Sequence, residues 1–198
     1  MDMTENEKQT DVQSPLSEKY QEHLIKSRKI FITGEINQKM AELKVLQLHA
    51  LAHISDDPIY LFVSSPGGHV ESGDMIYDTI RFIKPKVFVI GSGWVASAGA
   101  LIFVAAEKEN RYTLPNTRFL LHQPSGGYQG PATNLKIYMD EILTMRERLN
   151  KIFADATGQP IEKIRQDTER DFWLSSQEAV EYGLASKVIL SEAELPRQ

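Results

Sequence analysis

Short apolar runs alternate along the chain with longer stretches in which apolar residues recur every three or four positions. KIFITG (29–34) reads as a strand, and an amphipathic helix is expected around 37–54 with Met40, Leu43, Leu46, Ala50 and Ile54 on its apolar side. Asp56-Asp57-Pro58 ends that helix, because the residue before a proline is pushed out of the helical region. IYLFVSS (59–65) is a nearly continuous apolar strand, and after Pro66-Gly67-Gly68 a second helix carries Met75, Ile76 and Ile80 as far as Lys84-Pro85. KVFVIG (86–91) is the next strand; Gly91-Ser92-Gly93 reads as a turn, and a further helix begins near Ser97. RYTL (111–114) and RFLLHQ (118–123) are strands divided by Pro115-Asn116, and KVIL (187–190) is a last one. Ser175 and Glu178 have the spacing of a capping box opening a short helix that Gly183 closes. Buried parallel strands read as unbroken apolar runs, so this rhythm predicts an α/β fold around a parallel sheet.

Three segments stand apart from that rhythm. Over 133–153, Leu135, Tyr138, Ile142, Met145, Leu149 and Ile152 recur at spacings of 3, 4, 3, 4 and 3, a heptad-like seam with charged residues on the other faces. Such a helix either packs on its own domain or projects to meet another subunit. Val87 to Ala106 is uncharged for twenty residues, the length of a membrane span. Glycine and serine crowd its middle, however, which favours a strand, a turn and a helix within one fold. Residues 1–17 are polar, lack the apolar core of a signal peptide, and read as a flexible tail. The expected organisation is a tail over 1–18, one domain over 19–192 and a short C-terminal tail over 193–198.

Composition narrows the chemistry. The 198 residues include no cysteine, which excludes disulfides, thiolate zinc sites and a cysteine nucleophile, and suits a reducing, cytoplasmic setting. Lys and Arg number 22 against 27 Asp and Glu, a net charge of −5, which argues against general affinity for nucleic acid or anionic membrane.

Ser97 lies where an apolar strand gives way to an alanine-rich helix, a position that exposes a hydroxyl at the positive end of a helix dipole. Serines at such positions are commonly caps, and the G-x-S-x-G elbow is not met because residue 95 is valine. Gly67-Gly68, between a strand and a helix, lets backbone N–H groups approach a developing negative charge; a plain turn is the simpler reading. The phosphate-binding patterns are missing. His122 ends the strand RFLLHQ and can serve as a general base, with His69, beside the glycine pair, as its rival. His49 and His53 lie one helical turn apart but lack a third metal ligand, and His23 is near the tail. Asp171, next to Phe172-Trp173, suits the orientation of a histidine, with Asp167 and Asp140 as alternatives.

Taken in order, SSPGGHVESGDMIYDTIRFIKP, GWVASAGALIFVAA, FLLHQPSGGYQG and DTERDFWLSSQEAVEYGL closely resemble the ClpP family of serine peptidases over about 19–190. The resemblance implies a ClpP/crotonase-type spiral of strands and helices that assembles into stacked heptameric rings around a chamber. It implies Ser97 as nucleophile, His122 as base, Asp171 as orienter, and Gly68 and Ala98 as oxyanion-hole donors. Ser125, Gly126 and Gly127 align with the segment that pairs with extended substrate, and the seam from Leu135 to Ile152 with a handle, about 124–155, that joins the rings. Implied partners are the chain itself, unfolded protein and peptide substrates, and an AAA+ unfoldase of the Clp type that consumes ATP; no metal or organic cofactor is implied.

The chain also departs from the family pattern. Residues 1–18 do not resemble the family's apolar axial hairpin. Ala98 stands where methionine is usual, and Trp94 where a smaller or unbranched residue is usual. Pro131, Asn134 and Lys136 replace handle residues that are often polar or acidic. These differences point to a paralogue of narrow specificity, or to a poorly active subunit that pairs with a second ClpP chain. A crotonase-like acyl-CoA hydratase or isomerase shares the expected fold but works through paired carboxylates and needs no serine.

Overall fold

The computed structural model of the chain describes residues 15–127 and 129–196. Helix α1 (Pro15–Lys26) leads into β1 (Lys29–Thr33), α2 (Gln38–Ile54), β2 (Ile59–Ser65), α3 (Val70–Phe82), β3 (Val87–Ala96) and α4 (Ala98–Phe103). There follow β4 (Arg111–Thr113), β5 (Arg118–Leu121), α5 (Ala132–Thr157), α6 (Ile161–Asp167), β6 (Phe172–Ser175), α7 (Ser176–Tyr182) and β7 (Lys187–Val188). Strands β1, β2, β3, β4 and β7 lie side by side in parallel, as the unbroken apolar runs predict.

Strand β3 has two partners in succession. Val89–Gly91 pair with β4, whereas Trp94–Ala96 pair in parallel with β5, which in turn carries β6 antiparallel. The sheet therefore divides along β3, and the division creates the edge at which the site is built. One face of the sheet, with Ile32, Leu61, Val63 and Val89, packs against Leu48 and Leu51 of α2, Ile76 and Ile80 of α3, and all of α4. Burying each of the valine, leucine, isoleucine and phenylalanine side chains contributes about 1.5–3 kcal/mol. The other face carries a smaller cluster of Tyr60, Phe88, Ile90, Ile189 and Leu195, with Tyr60 stacked on Phe88 at 5.5 Å.

Several expectations need correction. Gly91-Ser92-Gly93 is not a turn: β3 runs through it to Ala96, with a register shift against β2 and Gly93 at φ +66°. The apolar side expected for α2 is mostly outward: Leu43, Leu46 and Ile54 are exposed, and Ala41, Leu48 and Leu51 take the core. The helix is apolar around much of its circumference, so periodicity alone did not select the inward face. Helices α1 and α6 and strand β6 were not anticipated, and α1 begins inside the stretch read as tail. Of that tail, residues 1–14 lie outside the described residues, as do 197–198 of the expected C-terminal tail. Among the described residues no helix is long and apolar enough to cross a membrane.

Helix α5 settles neither reading of the seam wholly, because the seam is split. Leu149 is buried, Met145 and Ile152 are partly buried, and all three pack in the subunit's own core. Leu135 and Tyr138 are exposed, together with Ile137, Met139 and Leu143, which the heptad pattern had not singled out. The helix thus leaves the domain near Ile142 with apolar side chains on more than one face.

Candidate active site

Strand pairing brings the three chemical side chains to one edge. The parallel register of β3 and β5 sets Ala96 beside Leu120, and the Ser97 N–H donates to the Leu120 carbonyl at 2.9 Å. The antiparallel register of β5 and β6 sets Leu121 opposite Phe172, so the next residues outward, His122 and Asp171, face one another. Their side chains meet: His122 Nδ1 lies 3.0 Å from Asp171 Oδ1. The His122 side chain is 28% exposed and that of Asp171 is 65% exposed. Gln123, which sequence reasoning missed, secures this corner by donating its backbone N–H to Thr168 O and its amide to Glu169 O.

Ser97 adopts φ +54° and ψ −120°, a conformation that L residues other than glycine adopt at a cost of order 1–3 kcal/mol. Its side chain caps no N–H of α4, so the capping explanation for this serine does not hold. Ser97 and His122 line one small cavity with Val70, Leu101, Leu121, Pro124, Leu149 and Phe153, together with Ala98. No hydrogen bond joins the Ser97 hydroxyl to His122 among the described residues, so the hydroxyl is free within that cavity.

The glycine pair lies directly on this serine. A Cβ at Gly67 would come within 2.7 Å of Ser97 Cβ and 3.2 Å of Ala98 N, a closeness that only glycine allows. Backbone bonds from Ile36 N to Gly67 O (2.8 Å) and from His69 N to Ile36 O (2.9 Å) fix the loop. Among the described residues, the N–H groups of Gly68 and Ala98 donate to no other backbone group, which leaves both available beside Ser97. At Gly68, with φ +144°, an added Cβ would meet the Ile36 carbonyl at 2.2 Å. Gly68→Ala should therefore displace the loop, lowering kcat/KM for peptides by about 10²-fold, the scale of one lost oxyanion donor. Steady-state kinetics beside a thermal melt checks this; an unchanged kcat/KM would remove Gly68 from the site.

The rival residues are engaged elsewhere. His69 contacts Ser72 Oγ at 2.8 Å and Glu71 at 3.2 Å, and does not line the Ser97 cavity. Asp167 accepts from Tyr182 at 2.6 Å and Lys163 at 2.8 Å, and Asp140 pairs with Lys136 at 2.7 Å. Ser125, Gly126 and Gly127 are exposed and outside regular structure just beyond Pro124, and a Cβ at Gly126 would be 3.5 Å from Ile142 Cδ1. Among the described residues no group of three His, Cys, Asp or Glu side chains is placed to hold a metal.

Comparison with known proteins gives the same direction. The Clp protease family model matches residues 13–192. The chain is 66% identical over 185 residues to ATP-dependent Clp protease proteolytic subunit 2 of Pseudomonas aeruginosa, covering 93% of this chain and 92% of that protein. It is 60% identical over 181 residues to ATP-dependent Clp protease proteolytic subunit 3 of Rhizobium etli, covering 91% and 93%. Among solved structures, a mutant ClpP1 from Listeria monocytogenes superposes with a TM-score of 0.83 at 52% identity, covering 88% of this chain and 98% of that one.

Proposed function

The chain belongs to the Clp protease family, a family of serine peptidases, and from that premise we propose that Ser97, His122 and Asp171 are its nucleophile, base and orienter. The observation that carries this is a strained serine sharing a cavity with a histidine whose far nitrogen lies 3.0 Å from a carboxylate. Ser97 Oγ attacks the scissile carbonyl carbon while His122 Nε2 accepts the hydroxyl proton. Asp171 holds Nδ1–H, so Nε2 is the free base and the imidazolium is stabilised when it forms. The N–H groups of Gly68 and Ala98 receive the oxyanion. Collapse breaks the C–N bond, the departing amine takes the proton from His122, and an acyl-enzyme remains. Water, deprotonated by the same histidine, then releases the acid and restores Ser97.

The apolar lining of that cavity suits an apolar side chain preceding the cut, and the exposed 125–127 backbone suits pairing with an extended peptide. Family membership supports assembly into rings and feeding by an ATP-dependent Clp partner. The exposed apolar outer half of α5 is the surface we assign to the joining of two rings, whether the second ring is the same chain or a related one. We place the enzyme in the cytoplasm, in keeping with its lack of cysteine. Family membership speaks against the hydratase alternative, and among the described residues the cavity beside Ser97 is lined by no carboxylate.

A fluorophosphonate probe should label the assembled wild-type protein at Ser97, located by peptide mass mapping, and block cleavage of unfolded casein. Labelling at Ser92 or Ser125 with cleavage retained would reject the assignment.

A further inference from the structure

We propose that the ion pair between Asp74 and Arg148 is a clamp that sets the width of the cavity beside Ser97, and so determines which side chains are accepted before the cut. The proposal rests on the reading of Ser97 as nucleophile and adds a specificity-determining element to it.

The cavity has two walls from distant parts of the chain. Val70, the first residue of α3, forms one, and Leu149 and Phe153 of α5 form the other. Asp74 lies four residues after Val70, one turn further along the same stripe of α3. Arg148 immediately precedes Leu149 on α5. Arg148 Nη1 donates to Asp74 Oδ1 at 2.6 Å and Nη2 to Oδ2 at 2.7 Å, a bidentate pair across 74 residues of sequence. Two parallel bonds fix both distance and orientation, as a single lysine contact would not.

These are the only side-chain hydrogen bonds between α3 and α5 among the described residues. The Arg148–Asp74 bond also holds the guanidinium firmly in its charged form. The Asp74 side chain is 20% exposed and that of Arg148 43% exposed, so the pair is partly shielded but still reachable by salt. Phe153 and Leu149 are held on their other side by the core, whereas the N-terminal part of α5, before Ile142, carries the exposed Leu135, Ile137, Tyr138 and Met139. The pair therefore lies on the anchored part of α5, where Met145 and Leu149 pack in the core, and ties that part across to α3. Without it, the Leu149–Phe153 wall keeps its core contacts but loses its side-chain tie to α3, so a small outward shift from Val70 lets the cavity take larger side chains.

The test compares two fluorogenic peptides that differ only in alanine or phenylalanine before the cut, using the assembled enzyme. Asp74→Asn and Arg148→Gln should each raise the phenylalanine-to-alanine ratio of kcat/KM roughly fivefold, mostly through a lower KM for the phenylalanine peptide. Asp74→Glu, which keeps the charge, should restore most of the wild-type ratio, as should the exchange Asp74→Arg with Arg148→Asp. Raising salt to about 1 M should move the wild-type ratio the same way and leave Asp74→Asn unmoved. A wild-type ratio in both single variants, with Ser97 still labelled by fluorophosphonate, would overturn the clamp while leaving the nucleophile standing. An equal loss on both peptides, or a salt-independent wild-type ratio, would also overturn it by reducing the pair to a structural role. Absence of labelling at Ser97 in the wild type would instead defeat the underlying assignment.

Discussion

Ser97→Ala should abolish both probe labelling and peptide cleavage, lowering kcat by about 10⁴-fold or more while leaving the assembled mass unchanged. Alanine keeps the backbone geometry as strained as before and deletes only the hydroxyl, so folding should be indifferent to it. His122→Ala should cost as much, and Asp171→Asn about 10⁴-fold, because an amide at 3.0 Å from Nδ1 favours the wrong tautomer. The losses should not add: once the serine is gone, removing the histidine has little left to remove. The controls are His69→Ala and Asp167→Asn, whose partners lie outside the cavity. A crippled His69→Ala beside an active His122→Ala would show that the base is the other histidine.

A second large effect is expected at the outer half of α5. Ile137→Glu together with Leu143→Glu places two charges on residues that are 59% and 56% exposed in the single subunit, where they cost little. If this surface is buried between rings, each unpaired charge there costs several kcal/mol, and ring symmetry repeats the loss at every copy. The double variant should therefore fall from double rings to single rings or smaller species, with cleavage falling alongside, because α5 also supplies Leu149 and Phe153 to the cavity. Charging Met145 would be a poorer test, since that side chain already packs against the subunit's own core. Light scattering with a parallel activity assay decides the matter, and a variant of native mass and activity would free this surface of its assembly role.

The parts of the fold that were legible in the sequence are those with a strong local signature. IYLFVSS and KVFVIG could hardly be anything but buried parallel strands, and Ser175-x-x-Glu178 with Gly183 marks both ends of α7. Strand β6 was missed because FWLS is short and set among charges, and its identity comes from pairing with β5, fifty-odd residues earlier. Nor could local pattern reveal that β3 runs through two glycines: Gly93 takes a positive φ and the register against β2 shifts, so the ladder absorbs what looked like a turn. The site shows the same division. The types and neighbourhoods of Ser97, His122 and Asp171 were readable, but each was individually outweighed by a plainer explanation. Their convergence depends on the pairings of β5 with β3 and with β6, which are long-range facts; family resemblance stood in for them. Gln123, the Asp74–Arg148 pair and the exposed Ile137, Met139 and Leu143 carried no such signal.

The backbone of Ser97 also constrains how this chain can change over evolutionary time. At φ +54° a β-branched residue is strongly disfavoured, so threonine, although it would keep a hydroxyl, is not an accessible alternative nucleophile. Glycine, by contrast, fits the turn better than serine does and relieves its strain. On the proposed assignment of Ser97 as nucleophile, drift at this position therefore runs downhill in stability and away from catalysis, and selection for cleavage is what holds the serine in place.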